Sequence, residues 1–374
     1  MSASSLSPGS VASPARPQRS FVVLTVVVLF VCGVLSVVGV TMEVGLAGTL
    51  PGLALAAVPV GPVLATVLWL DRHESEPPHL LAFAFGWGAC IASLGALVIN
   101  SLSFRLLEHA VGDVTNTSVF IAPVVEEALK GLGVLLLLLR QRRHFDGIVD
   151  GIVYAAFVGV GFAYLENVLY LGRALGTDQP GSLVAVFVLR CLVSPFAHPL
   201  FTMATGLGLG IAAATRSRRL RVGAPVVGLV VAVGLHALWN ASASQGPSTF
   251  VELFLLLQVP VFAAAVGVAL LARAREARLV RRHLQVYVRT GWLSAGEVEM
   301  LVSSRRRRDA RARAASVGGR AAGRAVGDFQ ETATELAFRR DRLRRGTRES
   351  TPEDELVLLQ RLAGERAWSL GLLG

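Results

Sequence analysis

Apolar runs long enough to cross a bilayer succeed one another from residue 20 to residue 272, with only short polar stretches between them. A hydrocarbon layer is crossed by roughly 20 helical residues. The runs lie at roughly 20–42, 46–70, 80–101, 117–139, 148–172, 183–214, 222–241 and 250–272. This pattern predicts an all-α fold, a polytopic membrane helix bundle of about eight transmembrane helices. Composition agrees: 53% of residues are hydrophobic and 17% charged, which leaves a water-soluble globule too little polar surface to cover its core.

Residues 1–19 are rich in Ser and Pro and read as a disordered N-terminus. The run that follows is too long for a signal-peptide core and lacks a convincing small-residue cleavage site, so it is expected to be a retained first span. The sixth run exceeds the length a bilayer needs and is interrupted by Pro195 and Pro199, which predicts irregular backbone there. Arg140, Arg142 and Arg143 share one loop, and Arg216, Arg218, Arg219 and Arg221 another. The positive-inside rule makes both loops cytoplasmic, and eight spans then place both termini of a multi-pass cell-membrane protein inside.

Most of the net charge of +10 comes from arginines after residue 272. Segment 273–374 reads as a basic cytoplasmic tail, mostly helical or partly disordered. Helical stretches at 275–288 and 352–369 are separated by the arginine run 305–308 and a Gly/Ala/Arg-rich segment at 309–327. Such a surface suits anionic lipid or another acidic partner. No interleaved aromatics point to nucleic acid. Cys32, Cys90 and Cys191 fall inside apolar runs without paired spacing and read as packing residues.

Charges inside spans cost about 2.5 to 3.5 kcal/mol each on insertion scales, and they tend to mark function. Span four carries Glu126 and Glu127, followed by Lys130, the only lysine in the chain. A four-residue offset puts Glu126 and Lys130 on one helix face, where they can also form a structural ion pair. Span five brings Asp150 near its start, then Phe162, Glu166 and Asn167. Span six brings His198, and span seven His236 with Asn240 one turn later. Asp150 and Arg190 read as structural. The glycines 159, 161, 206, 208 and 210 are expected to let helices approach closely.

In order along four successive spans, these blocks resemble the PrsW family of intramembrane proteases over roughly residues 50 to 272, and more distantly type II CAAX prenyl proteases and bacteriocin-immunity proteins. Glu126, Glu127 and Lys130 carry the first motif. Asp150, Gly151, Phe162, Glu166 and Asn167 carry the second. His198, Pro199, Phe201, Thr202, Gly206 and Gly210 carry the third, and His236, Trp239 and Asn240 the fourth. The resemblance implies cleavage of a membrane-anchored protein substrate within or beside the membrane, in some members as a step releasing an anti-sigma factor. The basic tail has no place in that family core.

The chemistry expected is peptide hydrolysis. Glu126 activates water, Glu127 shares or relays the proton, and His198 and His236 with Asn240 hold the oxyanion. Glu166 and Asn167 position the water, and Lys130 supports the site. No cofactor is favoured. A zinc-assisted alternative uses His198, His236 and Glu166 as ligands, without an H-E-x-x-H pair to specify it. Proton-coupled transport by the same residues, or a catalytically dead scaffold acting through the tail, are the non-hydrolytic alternatives.

Overall fold

A computed structural model describes residues 19–71, 76–111, 117–142, 144–177, 179, 181–345 and 351–371. The expected disorder of the N-terminus falls on residues outside this set, apart from Arg19, which opens the first helix. All regular structure among the described residues is helical. In chain order the helices are α1 (Arg19–Ala57), α2 (Val60–Leu70), α3 (Pro78–Gly86), α4 (Ser93–Val111), α5 (Ala122–Arg140), α6 (Ile148–Leu175), α7 (Ser182–Phe187), α8 (Ala197–Ala214), α9 (Arg218–Ser244), α10 (Pro247–Leu253), α11 (Val259–Arg289), α12 (Ala295–Leu301), α13 (Ser304–Arg345) and α14 (Pro352–Gly371). Short π-helical turns join α3 to α4 (Trp87–Ala92) and α10 to α11 (Phe254–Gln258). Others precede α5 (Thr117–Ile121) and extend α7 (Val188–Val193).

The axis of the bundle is α6. Within its apolar window 89% of residues are buried, against 6% in the most apolar stretch of the segment Val22–Leu70, so lipid faces that stretch and protein faces α6. Small residues make this enclosure workable: a Cβ at Gly151 would meet the Gly206 carbonyl oxygen at 2.2 Å, which brings α6 and α8 backbone to backbone. The Trp87 indole donates to the Leu129 carbonyl at 2.9 Å and ties the α3–α4 junction to α5.

Six described segments are long and apolar enough to cross a membrane. The difference from the expected eight lies in two places. Helix α5 is apolar enough overall but is left out because it carries three charges, Glu126, Glu127 and Lys130. Segment Val22–Leu70 counts once although it changes direction at Gly45, where φ is 70°, a left-handed value that glycine adopts without strain. Before Gly45, Gly33 meets Cys90 and Gly39 meets Leu97, so α1 runs alongside α3 and α4. Beyond it, Gly48 meets Gly172, Gly52 meets Val168 and Leu53 accepts a hydrogen bond from Tyr164, so the chain runs back down α6.

Irregular backbone occurs where the prolines predict it. The π turn Val188–Val193 gives way to non-helical residues before α8 begins at Ala197. Asp150 is structural as expected: its Oδ2 accepts the backbone N–H groups of Asp146 at 2.8 Å and Gly147 at 2.7 Å, capping α6.

Past the bundle the chain builds a second apolar core from the far end of α11 with α12, α13 and α14, centred on Leu284, Leu301, Leu336 and Leu362. Segment 309–327, read as a separator, is helical and belongs to α13. That helix folds back on itself at Gly319, where φ is 74°. Gln330 Nε2 then donates to the Arg307 carbonyl at 3.1 Å, and Gly323 packs on Ala315. This C-terminal cap meets the bundle through an ion pair of Arg342 with Asp146 and through Arg273, which donates to the Trp69 carbonyl at 2.6 Å.

Candidate active site and metal centre

Five helices, α4, α5, α6, α8 and α9, deliver polar groups to one interior region. On α5 the residues facing inward include Glu126, Glu127 and Lys130, all buried. Glu127 and Lys130 are fully enclosed, and their ion pair is 2.5 Å long. The pair expected from the four-residue offset, Glu126 with Lys130, is therefore replaced by a three-residue pair. Both spacings make neighbours on a helix, and the rotation of α5 against α8 and α9 selects between them.

Glu127 has no oxygen to spare. Oε1 takes Lys130 and the Nδ1 of His236 at 3.0 Å, and Oε2 accepts from the Thr202 hydroxyl at 3.1 Å. A carboxylate so occupied is placed to orient the His236 ring. Lys130 Nζ also reaches His198 Nδ1 at 3.4 Å and lies 4.1 Å from the centre of the Phe162 ring.

Glu126 is held differently. Asn100, from α4, donates to its Oε1 at 3.1 Å, while Oε2 is buried without a hydrogen-bond partner and lies 3.7 Å from the Nε2 of His236. The imidazoles of His198 and His236 stand edge to face, centroids 5.1 Å apart, and His236 stacks on Phe201. Ligand atoms of Glu126, His198 and His236 all lie within 4.8 Å of one another. Glu166, expected as the acid of such a set, instead places Oε2 2.6 Å from His198 Nε2 and 2.5 Å from Arg190. Arg190 Nε donates to the Asn167 Oδ1 at 2.7 Å. Asn240 donates to the Ser118 carbonyl at 2.9 Å at the wall of the cavity.

That cavity, about 320 Å³, is bounded by Glu126, Asn100, Phe162, Glu166 and Asn240, and its rim carries Glu43 and Arg173, which pair with each other. Its size falls within the range of small-molecule sites and suits a short stretch of peptide. Two residues that sequence reasoning left out of the site belong to it: Asn100, a single amide in an apolar run, and Arg190, read as structural.

The donor set fits a metal. Two imidazoles and a carboxylate form a ligand group typical of catalytic zinc. The orphaned Glu126 oxygen, costly when buried in an apolar bundle, is what a cation would satisfy. His236 Nε2 is free to join because Glu127 holds the opposite nitrogen, the usual outer arrangement of a metal-bound histidine. At His198 both nitrogens already face a partner, so joining means exchanging one of them.

Residues 76–266 match the PrsW-protease family, described as PrsW family intramembrane metalloprotease. The chain is similar to Protease PrsW of Clostridioides difficile (strain 630), 30% identical over 149 residues that make up 39% of this chain and 60% of that one. It is similar to Protease PrsW of Bacillus subtilis (strain 168), 30% identical over 195 residues, 52% of this chain and 79% of the other. The namesake from Geobacillus kaustophilus (strain HTA426) is 28% identical over 214 residues, 56% and 84% of the two chains. No solved structure matches.

Proposed function

The chain belongs to the PrsW family of intramembrane metalloproteases, and from that premise we propose that it hydrolyses a peptide bond of a membrane-anchored protein at the Glu126, His198 and His236 centre. The observation that carries this reading is the buried, partnerless Oε2 of Glu126 beside His236 Nε2. Zinc held by these three residues would supply a polarising charge for the scissile carbonyl and a water acidic enough to attack near neutral pH. This replaces the metal-free hydrolysis read from the sequence.

The chain's own groups have separate tasks. Asn100 steadies one oxygen of Glu126 and leaves the other to face the reacting centre. Glu127 fixes the tautomer and plane of His236, with Thr202 and Lys130 neutralising and holding it. Glu166 sets the His198 ring, and Asn240 stands at the cavity wall within reach of a substrate carbonyl. With the arginine-rich loops on the cytoplasmic side, both termini lie inside and the rim at Glu43 and Arg173 faces outward. The exposed arginines of the cap would then meet anionic lipid or another acidic partner.

The test is cleavage of a single-span reporter by the purified, reconstituted full chain. Glu126→Gln and His236→Ala are expected to abolish product while the protein accumulates normally. Parental cleavage by either variant sinks the assignment.

A further inference from the structure

Beside the polar centre, on the far side of His198, an apolar groove of about 200 Å³ runs between α8, α9 and the start of α11. Ser194, Ala197 and Trp239 line it and also line a small gap that reaches His198, Asn167 and Arg190. At its other end Phe196, Leu200 and Phe262 lead into a second hollow of about 130 Å³ between α2, α6 and α11. The two hollows therefore form one track along α11, and the gap between that track and His198 is about 10 Å³, room for a single water.

One residue in that track is out of keeping with its surroundings. Gln258, the last residue of the π turn before α11, lines the groove, and neither its carboxamide nitrogen nor its oxygen has a hydrogen-bond partner, although both atoms are buried. A carboxamide offers one acceptor and two donor hydrogens. Leaving it unsatisfied among Phe254, Leu238 and Phe262 is costly unless something that enters the groove bonds it.

We propose that this track is a substrate subsite, in which the carboxamide of Gln258 pairs with the backbone N–H and C=O of an extended, apolar stretch of the membrane-anchored substrate. The inference rests on the hydrolytic reading for the substrate's identity. A lipid acyl chain would fill the apolar walls but has no group to satisfy Gln258. A regular helix, about 10 Å across, has its backbone groups engaged internally and is too wide for a hollow of this size. Only an unwound segment offers free peptide groups, and unwinding is also what a buried hydrolytic site requires of its substrate. Main-chain pairing supplies affinity with little sequence preference, and the aromatic walls would select apolar side chains.

Binding is measured with cutting switched off, in the full chain carrying Glu126→Gln and reconstituted into phosphatidylcholine vesicles. Leu238 is replaced by p-benzoylphenylalanine, and the probe is a synthetic membrane-spanning Leu/Ala peptide with a central Gly-Pro helix break. A parallel arm uses phosphatidylcholine with a photoreactive acyl chain. The peptide is expected to crosslink at position 238. Gln258→Leu, which removes the polar group without endangering insertion, is expected to lower the yield about tenfold, the effect of one lost paired amide. Ala197→Trp, which plugs the shared wall, is expected to abolish it. An unchanged yield with Gln258→Leu, or labelling by the lipid in place of the peptide, overturns the proposal. Crosslinking that behaves as expected beside a parent chain that never cleaves would strike the hydrolytic reading alone.

Discussion

In the bundle Phe30, Met42 and Leu256 face outward while Glu127 and Lys130 are completely enclosed; in the cap Leu301, Leu336 and Leu362 are enclosed while Arg305 and Arg306 face outward. The reversal follows from the solvent each part meets. Lipid gives apolar side chains no reason to hide, so packing, small-residue contact and polar pairing hold the bundle together. Water drives the apolar residues of the cap inward. The part of the chain that does chemistry is thus the part where polar groups are already forced together and away from water, and the family match ends at residue 266, before the cap begins.

The largest effect that would break this comparison is expected at the enclosed ion pair. Lys130→Met leaves Glu127 charged with only His236 and the Thr202 hydroxyl beside it and no lysine to neutralise it, and should cost about 3–5 kcal/mol of stability. Unfolding midpoints in detergent check it, and adding Glu127→Gln should recover most of the loss. A single variant as stable as the parent would mean the bundle interior does not depend on paired charge. Next comes the cap, where Leu336→Ala should cost about 2–5 kcal/mol. Limited proteolysis should then open segment 295–371 while reporter cleavage persists.

A smaller, pH-dependent effect is expected at Asp71, just beyond α2. Burial pushes its carboxyl up to about 8, an effect that the backbone N–H of Glu76 only partly offsets. The folded state therefore keeps a proton that the unfolded chain releases above its ordinary value of 3.8. The stabilisation is complete below that value and is lost as pH rises to about 8. Between pH 6 and 8 this group alone should remove about 1.4 kcal/mol per pH unit, and Asp71→Asn should flatten the profile. The smallest effect is at the cap surface, where Arg305→Ala should change the stability by less than about 0.5 kcal/mol, since both it and its partner Asp309 are exposed.

Much of this was legible from residues alone. Hydropathy marks the membrane runs, Pro195 marks the broken one, and charge in a span marks Glu126, Glu127, Glu166, His198 and His236 as one interior. What stayed hidden depends on rotation and packing. Both adjacent glutamates approach His236, and only the turn of α5 decides that Glu127 takes Lys130, Thr202 and the Nδ1 of that ring while Glu126 takes Asn100 and faces Nε2. Arg190 near a span end looks like an anchor until α7 and α6 bring it onto Glu166. Asn100 is an unremarkable amide until α4 lies against α5. The reversals at Gly45 and Gly319 escape periodicity because the helical pattern continues on both sides of each glycine.

The central claim is that Glu126, His198 and His236 together hold a catalytic metal. Elemental analysis of the purified full chain, run beside reporter cleavage on the same preparation, tests it most directly. The account predicts about one zinc per active parent chain, and loss of both metal and cleavage in His236→Ala and Glu126→Gln. A parent preparation that cleaves the reporter at full rate with no stoichiometric metal would contradict it.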